Sequence, residues 1–171
     1  MANFYSSRWF YFCEFLSTLG LLAFAFFLQW YRQIEPCSLC EAQRIVFALL
    51  GFLFLMHFLF PFKRLAHIII QALIIALSFL GILLASRQLW LQHFPPSIDH
   101  GNCDASSFYL LKVMPLKDVV ATIFLGGSEC AKITWQFLHL NIAQWTILWF
   151  GLFLLGALFQ LPEGTPKFRR K

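Results

Sequence analysis

The chain has 171 residues, 60% of them hydrophobic and only 12% charged, and 22 are phenylalanine. A soluble domain of that length cannot cover so much apolar surface, so the composition excludes an ordinary water-soluble fold and points to a bilayer. A net charge of +5 raises nucleic acid as a partner, but the basic residues sort by membrane side and read as a topology signal.

The first apolar stretch runs from about Tyr11 to Trp30, long enough to span. It lacks a small-residue cleavage site just after it and reads as a retained helix, not a removed signal peptide. Within it Cys13 reads as a small buried apolar residue, and Glu14 as a side chain reaching the near interface. A polar gap over about 31–40 follows and holds Pro36-Cys37-Ser38-Leu39-Cys40, with Arg44 one turn further on. Two thiols at that spacing can close a disulfide, exchange one, or bind a metal.

The second span covers about Glu41 to Phe60, with its apolar part starting at Ile45. Pro36 suits the position just ahead of a helix, which places Cys37 and Cys40 in the first turn. There the free N–H groups and the helix dipole favour a thiolate, and thiol pKa values fall to roughly 3.5–7.5. Cys37, Cys40 and Arg44 share one helical face. Spacing leaves two readings of Arg44. It either serves the sulfurs or a ring carbonyl in the outer leaflet, or it snorkels to the interface.

A very short connection with Pro61, Lys63 and Arg64 leads to the third span, about Leu65 to Ala85. His57 and His67 flank that connection and read as packing or interface residues. The long polar stretch over about 86–141 includes His93, just past the third span. Pro95-Pro96 and Gly101-Asn102 predict irregular chain before Cys103. Leu116, Val119, Val120, Ile123 and Phe124 then fall on one helical face, ended by Gly126-Gly127. That pattern predicts a short amphipathic helix, which either lies on the membrane surface, the favoured reading, and holds Cys130 close to it, or packs on the loop itself. Trp135, Phe137 and Trp145 read as interfacial anchors. The fourth span covers about Ile142 to Leu161.

In this arrangement Arg8, Lys63, Arg64, Lys167, Arg169, Arg170 and Lys171 share one side with only Glu14 and Glu163. The other side is balanced, with six basic and six acidic residues. The positive-inside rule therefore predicts both termini in the cytoplasm and both cysteine-bearing loops outside it. Disulfides persist in that outer compartment and are rare in cytosol. The expected fold is a single all-α membrane domain over 1–171, an antiparallel four-helix bundle.

Three functions suit four cysteines so placed. One is a relay passing electrons between soluble thiols and a carrier in the bilayer. A zinc site is the second, but Cys103 and Cys130 lie 27 residues apart and no other residue completes a spaced ligand motif. Disulfides that merely staple the loops are the third, and a staple needs no Arg44 beside it. The vitamin K epoxide reductase family also pairs four helices with two cysteine pairs, but there the loop pair precedes the Cys-x-x-Cys.

The ordered set of motifs resembles the bacterial inner-membrane disulfide bond formation protein B (DsbB) family. It comprises Cys37-Ser38-Leu39-Cys40 with Arg44, Cys103-Asp104, Met114-Pro115-Leu116-Lys117, Gly127-Ser128-Glu129-Cys130-Ala131 with Trp135, and Ala143-Gln144-Trp145. The resemblance runs from the first span to Trp149. It implies a thiol oxidase of the bacterial inner membrane that re-oxidises a periplasmic DsbA-like dithiol protein. It also implies that the electrons pass to a quinone, ubiquinone or menaquinone. On that likeness Cys103 meets the partner's thiolate and pairs with Cys130, Cys37 exchanges with Cys130, and Cys40 lies nearest the quinone. Arg44 supports quinone reactivity, and His93 stands near a family histidine linked to the same site.

Overall fold

The computed structural model describes residues 2–32, 37–60, 64–94, 130 and 135–160, with side chains from Arg8 to Tyr31 in the first helix and from Leu65 in the third. Cys103, Pro36, the amphipathic helix expected at Leu116–Phe124 and the basic tail lie outside the described residues.

Among the described residues, four helices are long and apolar enough to cross a membrane. They are α1 (Ala2–Arg32), α2 (Ser38–Leu59), α3 (Arg64–His93) and α4 (Ile142–Gln160). Contacts between them show an up-down-up-down bundle. Arg8 at the start of α1 donates to Phe58 O at the end of α2, 2.6 Å. Gln43 early in α2 bonds Gln88 late in α3, and Gln71 early in α3 donates to Ala157 O late in α4, 2.6 Å. The expected antiparallel four-helix membrane bundle is the fold observed.

The residue pattern is inside out relative to a soluble bundle. Phe24, Phe26, Phe52, Phe79, Leu83, Leu152 and Phe159 face outward. Thr18, Gln43, Gln71, Ser78 and Gln88 are buried between helices. In hydrocarbon the apolar side chains can face lipid, while Gln43, Gln71 and Gln88 find partners on neighbouring helices and Thr18 bonds a carbonyl of its own helix. α4, apolar around its circumference, contributes rings instead. Phe150 stacks on Phe47 at 4.1 Å between centroids, and Phe153 packs edge-on against Phe54. Gly81 makes room for this layer, since a Cβ there would sit 2.5 Å from the Phe150 ring.

Two expectations in α1 change. Cys13 is exposed on the apolar exterior and not buried. Glu14 turns inward and is buried, because Gly156 lets α4 come close; a Cβ there would meet Glu14 Oε1 at 2.5 Å. His57 and His67 take packing roles, with His57 stacked on Tyr11 at 4.5 Å and tilted against His67 at 4.9 Å.

α3 runs on to His93, eight residues beyond the expected end of its span. Its extra turns carry Gln88 and Gln92, which bond to α2 and to the start of α4. Before α4 an unexpected hairpin pairs β1 (Gln136–Phe137) with β2 (Leu140–Asn141). Leu138 and His139 form its turn with φ of 53° and 62°. Two positive φ values fit the tight turn a two-residue hairpin needs, but Leu-His carries no Gly or Asn to signal it. Asn141 then caps α4 reciprocally: its Oδ1 accepts from Gln144 N, and Gln144 Oε1 accepts from Asn141 N, each 2.9 Å. This is a capping box made from Asn and Gln.

Candidate active site

The site is built on the head of α2. Cys37 is the N-cap, extended at φ −70° and ψ 163°, and its sulfur accepts from Cys40 N at 3.4 Å. An N-cap side chain reaches the third helical N–H, so the Cys-x-x-Cys spacing brings both sulfurs to one point. Cys37 Sγ and Cys40 Sγ are 2.9 Å apart.

The third sulfur comes from far along the chain. Cys130 is buried, hydrogen-bonded to Cys37 and 3.8 Å from Ser38 Oγ. The hydrogen bond to Cys130, the one to Cys40, and burial together push the Cys37 thiol well above the ordinary thiol range. This reverses the expectation drawn from helix position. The helix end gives Cys37 one N–H at 3.4 Å, whereas two neighbouring sulfurs and lost solvation all disfavour a charge on it.

Cys40 faces α3. Gln88 Nε2 donates to Cys40 Sγ at 3.2 Å, and Gln88 Oε1 accepts from Gln43 Nε2 at 2.9 Å. Neither glutamine was singled out from the sequence. A signal was present: an amide inside an apolar span is costly unless paired, which makes each such residue a candidate for function or helix pairing.

Arg44 shares the helical face of Cys40, but its guanidinium turns to α1. It donates to Gln29 Oε1 at 2.5 Å and to Ala25 O at 3.2 Å. It also lies 5.4 Å from the Phe26 ring centre. None of these contacts is a sulfur. Phe26 belongs in turn to an open apolar recess of about 490 Å³ walled by Ala23, Phe26, Phe27, Trp30 and Tyr31. His93 ends α3, exposed, its Nδ1 3.0 Å from Leu89 O. Trp135 and Phe137 stack at 5.9 Å, and Trp145 Nε1 donates to Phe137 O, which fixes the hairpin beside α4.

Residues 7–160 match the family model for disulfide bond formation protein DsbB. The chain belongs to the DsbB family. It is 39% identical over 145 residues to disulfide bond formation protein B of Hahella chejuensis, covering 85% of this chain and 87% of that one. The Marinobacter nauticus protein of the same name is 36% identical, with 90% and 91% covered. The Azoarcus sp. protein is 37% identical, with 83% and 84% covered. Membership of the DsbB family makes this four-span chain a disulfide-forming oxidoreductase of the membrane, and gathered sulfurs suit that chemistry.

Proposed function

We propose that the chain re-oxidises a soluble, thioredoxin-like dithiol protein of the DsbA kind and delivers the electrons to a membrane quinone, its cysteine end facing the periplasm. The observation that carries this reading is the third sulfur: Cys130 is packed against Cys37 of the Cys37–Cys40 pair. A loop staple needs two sulfurs, and an exchange relay needs a third within reach of the first two.

The relay assigned to these residues balances at each transfer. A partner thiolate attacks Cys103 of a Cys103–Cys130 disulfide, and the electron pair leaves on Cys130. Cys130 then attacks Cys37 of a Cys37–Cys40 disulfide, forming a Cys37–Cys130 bond and leaving the pair on Cys40. The raised Cys37 thiol suits its part as the sulfur attacked, which needs no charge of its own. A bound quinone supplies an acceptor for two electrons and two protons within the bilayer.

The residues present fit such a group. The recess on α1 offers aromatic walls open to lipid, and Arg44 stands at its Phe26 wall with a fixed positive charge. Among the described residues, two of the five N–H donors that a guanidinium carries are directed to Gln29 and Ala25. Arg44 and the recess residues would hold the ring, and Cys40 would be the sulfur that serves it. His93 is proposed as a residue bordering the same site.

The test is quinone reduction by the purified protein in detergent with a reduced DsbA-like dithiol protein as donor. Partner-dependent turnover is expected, and Cys40→Ser and Cys103→Ser are each expected to abolish it. Absence of partner-dependent turnover in the unsubstituted protein, or turnover that survives either substitution, rejects the relay.

A further inference from the structure

Gln88 is a long polar side chain in the last third of α3, and it is buried. An amide carries an acceptor at one end and donors at the other, and burial demands that both be used. Here both are. The Oε1 end is occupied by Gln43 Nε2 at 2.9 Å, and the Nε2 end points at Cys40 Sγ, 3.2 Å away. Gln43 is buried too, one turn beyond Cys40 on α2. Because Gln43 presents a donor to Gln88 Oε1, it fixes which end of the Gln88 amide faces the sulfur. The result is a directed chain, Gln43 to Gln88 to Cys40.

We propose that Gln88 is a catalytic hydrogen-bond donor that holds the negative charge arriving on Cys40 when the Cys37–Cys40 bond opens, with Gln43 as the positioning residue that aims it. The assignment rests on the relay reading above. The step it serves is a disulfide transfer. The Cys130 thiolate forms a bond to Cys37 Sγ, the Cys37–Cys40 bond breaks, and its electron pair leaves on Cys40 Sγ. No proton moves, and the number of disulfides is unchanged. A hydrogen bond to an ionised acceptor is roughly twice as strong as one to a neutral acceptor. The Gln88 N–H therefore stabilises the state with charge on Cys40 more than the state before it, which is what accelerates a step. Leaving-group sulfurs that bear charge more easily leave faster.

The nearer candidate by sequence is Arg44, but among the described residues its hydrogen bonds and ring contact are with α1. Ser38 is placed at Cys130, the sulfur that attacks. Gln88 is the side chain of α3 that touches the leaving sulfur.

A purely structural role, as polar glue between α2 and α3, predicts a different sign in one measurement. The fully reduced full-length protein is alkylated with iodoacetamide at neutral pH, and modification of Cys40 is followed by tandem mass spectrometry. Alkylation follows the thiolate fraction and access. Loss of the donor slows it, and loosened packing speeds it. Gln88→Leu is expected to slow Cys40 alkylation about tenfold. It should lower partner-dependent turnover by roughly 10- to 100-fold, below the typical loss for an oxyanion-hole donor because sulfur is the softer acceptor. Gln43→Leu keeps Gln88 but frees its amide to turn, and is expected to slow alkylation by a smaller factor. It carries the test alone if Gln88→Leu does not fold. Unchanged or faster alkylation of Cys40 overturns the proposal. The alkylation uses neither partner nor quinone, so it judges Gln88 separately from the relay, which is judged by partner-dependent turnover of the unsubstituted, Cys40→Ser and Cys103→Ser proteins.

Discussion

At the head of α2 the contacts between helices are polar and directional: Cys37 capped onto Cys40 N, Gln88 onto Cys40, Gln43 onto Gln88, Arg44 onto α1. Two turns deeper they are ring on ring and ring on glycine, with Phe150 stacked on Phe47 and lying against Gly81. The deep layer holds helices by shape, and shape tolerates no added atoms. The cysteine end holds them by hydrogen bonds, which can be remade as sulfurs trade partners. Redox chemistry needs groups that change bonds without moving the bundle, and this division supplies a fixed floor under an adjustable top.

The largest effect that tests this division belongs to the floor. In Gly81→Ala the new methyl would fall 2.5 to 2.6 Å from three atoms of the Phe150 ring. The ring cannot retreat, because Phe47 lies behind it at 4.1 Å. Overpacking of this kind costs about 1–3 kcal/mol, read as a lowered thermal midpoint in detergent. Adding Phe150→Leu, which shortens the ring side, is expected to restore part of the loss, the non-additivity that direct contact produces. An unchanged midpoint in Gly81→Ala would show the layer to be looser than its distances imply.

At the adjustable end, Arg44→Ala separates the two halves of the proposed relay. Among the described residues its guanidinium bonds to Gln29 and Ala25 of α1 and lies over the recess wall Phe26. The expected outcome is a KM for quinone raised by about tenfold, the weight of one charge-assisted hydrogen bond. Thiol exchange between partner and Cys103 is expected to change much less. Equal loss in both half-reactions would mean that the variant acts through α1–α2 packing, and unchanged quinone kinetics would remove Arg44 from the site.

Much of this was legible in the chain itself. Four apolar stretches at spanning length give four helices, because a bilayer leaves a spanning backbone few other options. Cys37 and Cys40 follow from a motif whose spacing matches N-cap to third helical residue. What the sequence hid was the identity of the neighbours. Gln88 meets Cys40 only because α3 continues past the expected end of its span at Ala85. Arg44 shares a face with Cys40, yet its side chain is long enough to reach α1, so a shared face did not fix a shared contact. Glu14 looked like an interface residue until Gly156, 142 positions later, allowed α4 to close over it. The Leu138-His139 turn carries no Gly, Asn or Asp to announce it, and only His139 belongs to a type enriched at positive φ. Each miss is a long-range contact or a local conformation against propensity, neither of which a pattern along one segment encodes.

The smallest predicted effect concerns the first sulfur. Cys37 is held protonated by Cys130, by Cys40 and by burial, against an ordinary thiol value of 9.0. For an acid whose folded pKa is raised, the folded state keeps a proton that the unfolded chain gives up. The contribution to stability is therefore whole below about pH 9 and is lost progressively as pH climbs above it. In the reduced protein two consequences follow. Alkylation of Cys37 should stay slow through the range where a free thiol becomes reactive, and should accelerate sharply in unfolded protein at the same pH. Cys130→Ala removes the hydrogen bond that is the largest of the three causes, and should bring Cys37 alkylation part of the way back toward that of a free thiol. Were Cys37 to react at the free-thiol rate in the folded protein, the three sulfurs could not be packed together as described. The raised thiol and the exchange reading that uses it would fall with the same measurement.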